Sequence, residues 1–285
     1  MSLQLHQGAL QIFDVEHGQC ALLTMPGTGN GGCDRMLIDC GHNATSGWSP
    51  TQHLQNLNVA KLEMLVVTNY DEDHVSNFGA LTESGIEIET LVRNTSVAPD
   101  YITYLKSETG AGCGIKALVD VAKQYTDTAA VATLGTRFPG MKMQTFRNTP
   151  ADFDDENNLS LLMFLQVHNT NFLFPGDMEC AGFEKLLARS AGFRAILPQV
   201  HVLIAPHHGR RSGICEALFD TWGLNPQLTI ISDDYKQYDT QETTQYYASK
   251  TSGVANFRGC FRKVLTTRKD GFINFSFQNG SAIAL

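Results

Sequence analysis

Thr68-Asn69-Tyr70-Asp71-Glu72-Asp73-His74 crowds three carboxylates and an imidazole into seven residues, directly after the apolar run Met64-Leu65-Val66-Val67. Oxygen and imidazole donors gathered at the carboxyl end of a buried strand form the donor set of a divalent cation. Two later stretches repeat the layout. Phe172-Leu173-Phe174-Pro175 runs into Gly176-Asp177, and Val202-Leu203-Ile204-Ala205 runs into Pro206-His207-His208-Gly209. On a regular strand the adjacent Asp73 and His74 would face opposite ways, but in a turn at a strand end both can reach one ion. With Asp177, His207 and His208 the set offers imidazoles and carboxylates together. That mixture suits Zn²⁺, Mn²⁺ or Fe²⁺ better than Ca²⁺ or Mg²⁺. Zn²⁺ or Mn²⁺ is the expected cofactor, as one or two ions.

Taken singly, each of these residues has a structural explanation. Asp73 and His74 could cap a helix, Asp177 could serve a turn, and His207-His208 could be a satisfied buried pair. Three such motifs closing three apolar strands make a much rarer coincidence. Arg210-Arg211 follows the double histidine, where a guanidinium pair could clamp phosphate oxygens bidentately or simply be solvated. Asp233, Asp234, Tyr235, Tyr246 and Tyr247 could line the mouth, although tyrosines at helical spacing more often pack.

The elements that must position these groups follow from apolar periodicity. Strands are expected at 9–15, 20–25, 35–39, 64–67, 86–92, 159–167, 171–174, 202–205 and 228–231. Helices are expected at 51–58, from 78, and at 115–125, 181–188 and 215–221. The tail, 262–267 and 272–277 about Lys269-Asp270-Gly271, predicts a hairpin. The Gly-rich stretch 26–32 reads as a plain turn, because no helix with Lys-Ser/Thr follows it to make a phosphate cradle. Residues 94–149 are less regular and are expected to border the site as an insertion. No repeat or linker interrupts the chain, which reads as one domain, 1–285, of mixed strands with helices outside.

Composition narrows the class. The 285 residues are 42% hydrophobic and 18% charged, ordinary values for a globular protein. A net charge of −8 argues against a broad basic face that coats nucleic acid, though not against a small anionic substrate held by metal. Seven scattered cysteines without a CxxC pair predict reduced thiols and a cytoplasmic location. Met1-Ser2-Leu3-Gln4 opens no signal-peptide pattern, and no apolar run is long enough for a membrane helix.

The segment 68–74 resembles the HxHxDH signature of the metallo-β-lactamase superfamily, in the HPDADH form found in the hydrolase domain of ComEC-type DNA-uptake proteins. Asp14-Val15-Glu16-His17-Gly18-Gln19-Cys20 resembles that group's DVGQGDA, and Leu37-Ile38-Asp39-Cys40-Gly41 its LIDTG. Asn157-Asn158-Leu159-Ser160-Leu161 resembles NNxSLVL, Pro175-Gly176-Asp177-Met178-Glu179 resembles TGDIE, and Ala205-Pro206-His207-His208-Gly209 resembles VPHHG. The resemblance implies an α/β (α+β) fold, a four-layer αββα sandwich with the metal at one edge between the sheets. It implies Asp73, His74 and His207 as ligands, Asp177 as a bridge, and His208 either behind the ligands or in place of one. Asp73 would also orient the attacking water. The uptake proteins' membrane channel has no counterpart in this sequence.

At the other metal position this chain departs from the pattern. Asn69 stands for the opening histidine, Asp71 for the next, and Asn157-Asn158 for a third. Amides are weak ligands for transition metals, so one ion is the safer expectation. His42 could replace the missing imidazole or be an exposed turn histidine, and His17 carries the same ambiguity. The implied activity is a metal-dependent hydrolase, a phosphodiesterase or nuclease-type enzyme acting on an anionic substrate such as a nucleic acid or nucleotide. Asp73, Asp177, Arg210 and Arg211 would serve catalysis. The alternatives are an ester, amide or peptide hydrolase on the same fold, or a metal-depleted binding or regulatory module.

Overall fold

Along Leu161–Val167 the side chains alternate between two interiors: Leu161, Met163, Leu165 and Val167 enter one apolar cluster, Leu162 and Phe164 another. That is the two-residue period of an extended chain. Phe172 and Phe174 take the first cluster and Leu173 the other; Met64 and Val66 likewise part from Leu65 and Val67. Strands buried on both faces read as unbroken apolar runs. This is why the strands that lead to the ligand-type residues are so plain in the sequence.

The computed structural model describes residues 8–27, 32–125, 138–234, 242–278 and 281–284. Residues 28–31 of the Gly-rich stretch and Tyr235 lie outside them. Among the described residues the fold mixes helices with two large sheets and two small two-stranded ones. The first large sheet has seven strands in the order Ser281–Ala284, Ile273–Gln278, Ala9–Ile12, Ala21–Pro26, Cys33–Ile38, Met64–Val66, Leu91–Val92. The second has six, in the order Val264–Thr266, Leu228–Ile231, Val202–Ile204, Thr170–Phe174, Leu161–Val167, Met141–Arg147.

One apolar cluster holds side chains of both sheets, including Leu10, Ile38 and Phe275 from the first and Met163, Phe172 and Ile230 from the second. A second cluster joins the first sheet to the helices Pro50–Asn56, Phe78–Glu83, Pro99–Leu105 and Cys113–Ala122. A third joins the second sheet to Cys180–Arg189, Ala191–Ile196 and Thr244–Ser249. Tyr247 is buried in this third cluster beside Phe219 and Tyr246, so packing is the reading that holds for that pair.

Three local expectations are corrected. The tail makes no hairpin. Val264–Thr266 runs parallel to Leu228–Ile231 in the second sheet, whereas Ile273–Gln278 pairs antiparallel with Ala9–Ile12 in the first. Between them lies the short helix Thr267–Asp270, capped by the Thr266 side chain accepting from the Lys269 backbone and closed by Gly271 at φ 66. Asp270 fastens this crossing, accepting from the Thr266 backbone and from the Arg262 guanidinium. The run 86–92 is likewise two strands: Glu87–Ile88 pairs with Lys61–Leu62, and Leu91–Val92 with Met64–Val66. Finally, the stretch 94–149 ends in regular structure, because Met141–Arg147 pairs with Leu161–Val167 along its whole length.

Phe172 is fully buried and meets Phe275 of the opposite sheet edge-on, with ring centroids 5.1 Å apart. Phe172→Ala leaves a void that neither sheet can close. The expected loss is about 3–5 kcal/mol in urea unfolding, and a loss below ~1 kcal/mol would mean the sheets repack freely.

Candidate metal centre

Four strands deliver the site from their carboxyl ends. Cys33–Ile38 leads into Asp39 and the parallel Met64–Val66 into Thr68 and the 71–74 turn; Thr170–Phe174 leads into Asp177 and the parallel Val202–Ile204 into His207-His208. The sheets are tied at this edge by the Leu161 backbone N–H donating to the Thr68 carbonyl at 2.7 Å. Gly176 turns here with φ 59, and a Cβ on it would stand 2.9 Å from that same Thr68 carbonyl, so only glycine fits. Asp71 caps the one-turn helix Glu72–Val75 through its side chain. Helical rather than extended backbone is what lets the neighbours Asp73 and His74 reach one point. His207, His208 and Gly209 follow with φ of 49°, 51° and 73°. A run of left-handed residues is a strained way to turn, and it aims the two imidazoles apart.

Asp73, His74, Asp177 and His208 each offer one ligand atom to a common group, all within 4.8 Å of one another. His74 Nε2 is 2.9 Å from Asp177 Oδ1 and 3.3 Å from His208 Nε2. His208 Nε2 is 3.3 Å from both Asp177 Oδ1 and Asp73 Oδ2. Bonds of ~2.0–2.1 Å to a tetrahedral Zn²⁺ give ligand–ligand edges of roughly 3.3–3.4 Å. The separations among His74, Asp177 and His208, and that between His208 and Asp73, are therefore already close to such edges. Both rings are backed on their far nitrogens, His74 Nδ1 by Asp39 Oδ2 at 2.9 Å and His208 Nδ1 by the Ser232 carbonyl at 3.1 Å. Such backing fixes the tautomer that presents Nε2 to a metal. Asp39 is held in turn by the backbone and hydroxyl of Thr68, at 2.7 and 2.5 Å.

Two buried polar atoms at this point have no hydrogen-bond partner, Asp73 Oδ1 and Gln19 Nε2. Gln19 lines the small cavity of about 10 Å³ that it shares with Thr68, His74, Asp177 and His208. An orphaned buried acceptor beside a donor-rich group fits a cation, because leaving it unsatisfied costs about 1–3 kcal/mol.

Charge points the same way. Burial alone would push the pKa of His74 down, but the carboxylates of Asp177 and Asp39 outweigh it and hold the imidazole well above its usual range. Burial likewise opposes a charged His208, yet Asp177 and Asp73 push it up to about 10. Burial works to raise Asp177, but the two imidazoles keep its carboxyl well below the usual carboxylate range. Burial similarly works to raise Asp73, and His208 lowers it. The carboxylates thus demand positive charge, which protons on the imidazoles or a divalent cation can supply.

The remaining sequence candidates lie around the group rather than in it. His207, the expected ligand, stands outside: its Nδ1 is 3.2 Å from Glu179 Oε1 and 2.9 Å from Ser212 Oγ, and its Nε2 accepts from Arg210 at 3.2 Å. Burial lowers its pKa. Arg211 is exposed and borders a separate pocket with Cys180 and Cys215. Asn69 is buried, accepting from the Tyr70 backbone at 2.6 Å and donating to Asn157 at 3.3 Å. Asp71 pairs with Lys106 at 2.9 Å. His42 places Nδ1 2.7 Å from Ser76 Oγ, so it is a half-buried loop residue outside the ligand group. His207, Asn69, Asp71 and His42 are not members of the four-residue ligand group.

Sequence reasoning gave no role to Asp39, Gln19, Glu179 or Lys106. Asp39 carried a signal as an aspartate closing an apolar strand, and Gln19 and Glu179 stood within the quoted segments 14–20 and 175–179. From the stretch 94–149, Lys106 bridges Asp71 and Glu156, and the Gly114 and Ile115 backbone donates to Glu72. No family model matches the chain, and no curated protein matches its sequence.

Two measurements follow from the proton balance. After chelator treatment, protons on His74 and His208 stabilise the fold fully below the unfolded pKa of ~6.5. That contribution is lost as pH rises toward the folded value of about 10 at His208. Tm in chelator therefore falls across this window, and His208→Gln flattens the fall. Zn²⁺ or Mn²⁺ must displace the same protons, so calorimetry should show proton release and an affinity that rises with pH. An affinity independent of pH would show that neither imidazole is displaced. Asp39→Asn, which removes the support behind His74, should lower metal affinity about 10–100-fold.

Proposed function

We propose that the protein is a metal-dependent hydrolase of phosphodiesters, built as a four-layer αββα sandwich of the metallo-β-lactamase kind. The observation that carries the reading is the convergence of Asp73, His74, Asp177 and His208, whose ligand atoms all lie within 4.8 Å of one another. One divalent cation, Zn²⁺ or Mn²⁺, would be held there. When bound, such an ion lowers the pKa of water toward ~7 and polarises a phosphoryl oxygen.

The protein's own groups supply the rest. The Asp73 side chain is 32% exposed, whereas those of His74, Asp177 and His208 are at most 4% exposed. Substrate therefore approaches from the Asp73 side. Asp73 Oδ1, which has no partner of its own, accepts a proton from the attacking water. Asp39 and the Ser232 carbonyl orient His74 and His208 through their far ring nitrogens, and Asp177 offers its carboxylate to the same point from the buried side. Arg210, braced against His207 Nε2, neutralises the charge that grows on the non-bridging phosphoryl oxygens. Glu179 and Ser212 fix the His207 ring, so the brace under Arg210 is itself held. Support for a phosphodiester over a carboxylic ester comes from that guanidinium and from the resemblance to DNA-uptake hydrolase domains.

With Zn²⁺ or Mn²⁺ added, bis-p-nitrophenyl phosphate should release p-nitrophenol well above the metal-only rate, and p-nitrophenyl acetate should not. Asp73→Ala and His208→Ala should abolish turnover while far-UV circular dichroism is kept. Arg210→Ala should lower kcat/KM by about 10²-fold. Turnover of the acetate alone would move the reading to ester hydrolysis. Metal bound without turnover of either substrate would leave a binding module.

A further inference from the structure

Gln19 lies in the connection between the strands Ala9–Ile12 and Ala21–Pro26, and the backbone on either side of it is fixed against the metal centre. A Cβ on Gly18 would stand 2.5 Å from the Asp73 carbonyl oxygen, so the connection packs directly on the backbone of a ligand residue. The Gly18 carbonyl accepts from the Ser232 hydroxyl at 2.6 Å, and the Ser232 carbonyl in turn faces His208 Nδ1. The Gln19 carbonyl accepts from the Gly41 backbone at 3.0 Å. From this held backbone the Gln19 side chain, 4% exposed, lines the cavity of about 10 Å³ together with His74, Asp177 and His208. Phe174 and Ile204 of the inter-sheet cluster line it too, which places it on the interior side of the ligand group.

The two orphaned atoms of this region ask for opposite things. Asp73 Oδ1 is an acceptor and a cation satisfies it; Gln19 Nε2 is a donor and a cation does not. The amide needs an oxygen. A cavity of about 10 Å³ has room for the centre of one water molecule and excludes a phosphate or any organic ligand. Buried waters make about two to four hydrogen bonds. The Gln19 amide can donate to such a water and the Asp177 carboxylate can accept from it.

We propose that Gln19 holds a single water molecule in this cavity, with a lone pair of the water left facing the cation position. The water accepts from Gln19 Nε2, donates to the Asp177 carboxylate, and completes the surroundings of the ion from the buried side. It is separate from the attacking water, which belongs to the exposed Asp73 side. Four protein donors are the full complement of a structural zinc, whereas a catalytic one also binds water. Gln19 is thus a positioning residue. The role toward the cation rests on the metal-centre reading, but the water site does not.

The test takes crystals of the chelator-treated and the Zn²⁺-loaded protein, at a resolution that shows ordered water. It compares wild type with Gln19→Met, which keeps the length of the side chain and removes the donor. One density peak within hydrogen-bonding distance of the Gln19 amide is expected in both wild-type forms, and its loss in the variant. In solution, Co²⁺ in place of Zn²⁺ reads the second half: its visible bands should strengthen several-fold in Gln19→Met as the ion loses a ligand. A dry cavity would overturn the water site, as would a Gln19 amide turned about so that Oε1 touches the ion. A water peak with equal Co²⁺ bands in both proteins would overturn its tie to the cation. Failure to bind Co²⁺ would sink the metal reading and the cation role with it, and the metal-free crystals would still decide the water site. Should Gln19→Met not fold, the wild-type crystals decide.

Discussion

His74 stands between two buried carboxylates, Asp39 on Nδ1 and Asp177 on Nε2, with almost none of the three exposed to water. Two anions at that depth repel each other and lack hydration, so something positive must lie between or beside them. The imidazole, charged or joined to a cation, answers that demand. The surrounding architecture can be understood as what holds this arrangement in place. Thr68 hydrogen-bonds Asp39, the Ser160 hydroxyl accepts from the Asp177 backbone at 3.1 Å, and Gly176 lets the two sheet edges close over the point.

The two-faced burial of the strands connects this local chemistry to the whole fold. A strand buried on both sides cannot slip by one residue without sending its side chains to the wrong interiors. Val66 enters the inter-sheet cluster and Val67 the helical one, which sets where the chain emerges at Thr68. The same holds for Phe174 before Asp177 and for Ile204 before His208. Core packing therefore sets where each ligand-type residue emerges from its strand.

The polar groups at Asn69, Asp71 and Asn157 offer a contrast. Here Asn69 and Asn157 bond each other, and Asp71 is taken up by Lys106 together with Glu156. Amide pairs and a buried ammonium satisfy these polar groups without a second ion. Around the ligand group, Lys106 faces Asp71 and Glu156, and Glu179 and Arg210 flank His207.

What the sequence determined by itself was the set of buried strands and the ligand-type residues at their ends. Unbroken apolar runs and the residue types that close them are local properties. Three of the four converging groups lay in the two short segments at 73–74 and 177, and the fourth was one of two adjacent histidines. Which histidine turns inward was not local: it depends on the left-handed backbone through 207–209 and on the Glu179 and Ser212 side chains that receive His207. Asp39 gained its role only when the parallel strand Met64–Val66 brought His74 against it. The tail shows the same limit, since alternating residues on both sides of a Gly turn fit a hairpin and a crossing between sheets equally well. Tertiary structure decided between them because Val264–Thr266 and Ile273–Gln278 find their hydrogen-bond partners in different sheets, and pairing energy belongs to the partner strand as much as to the strand itself.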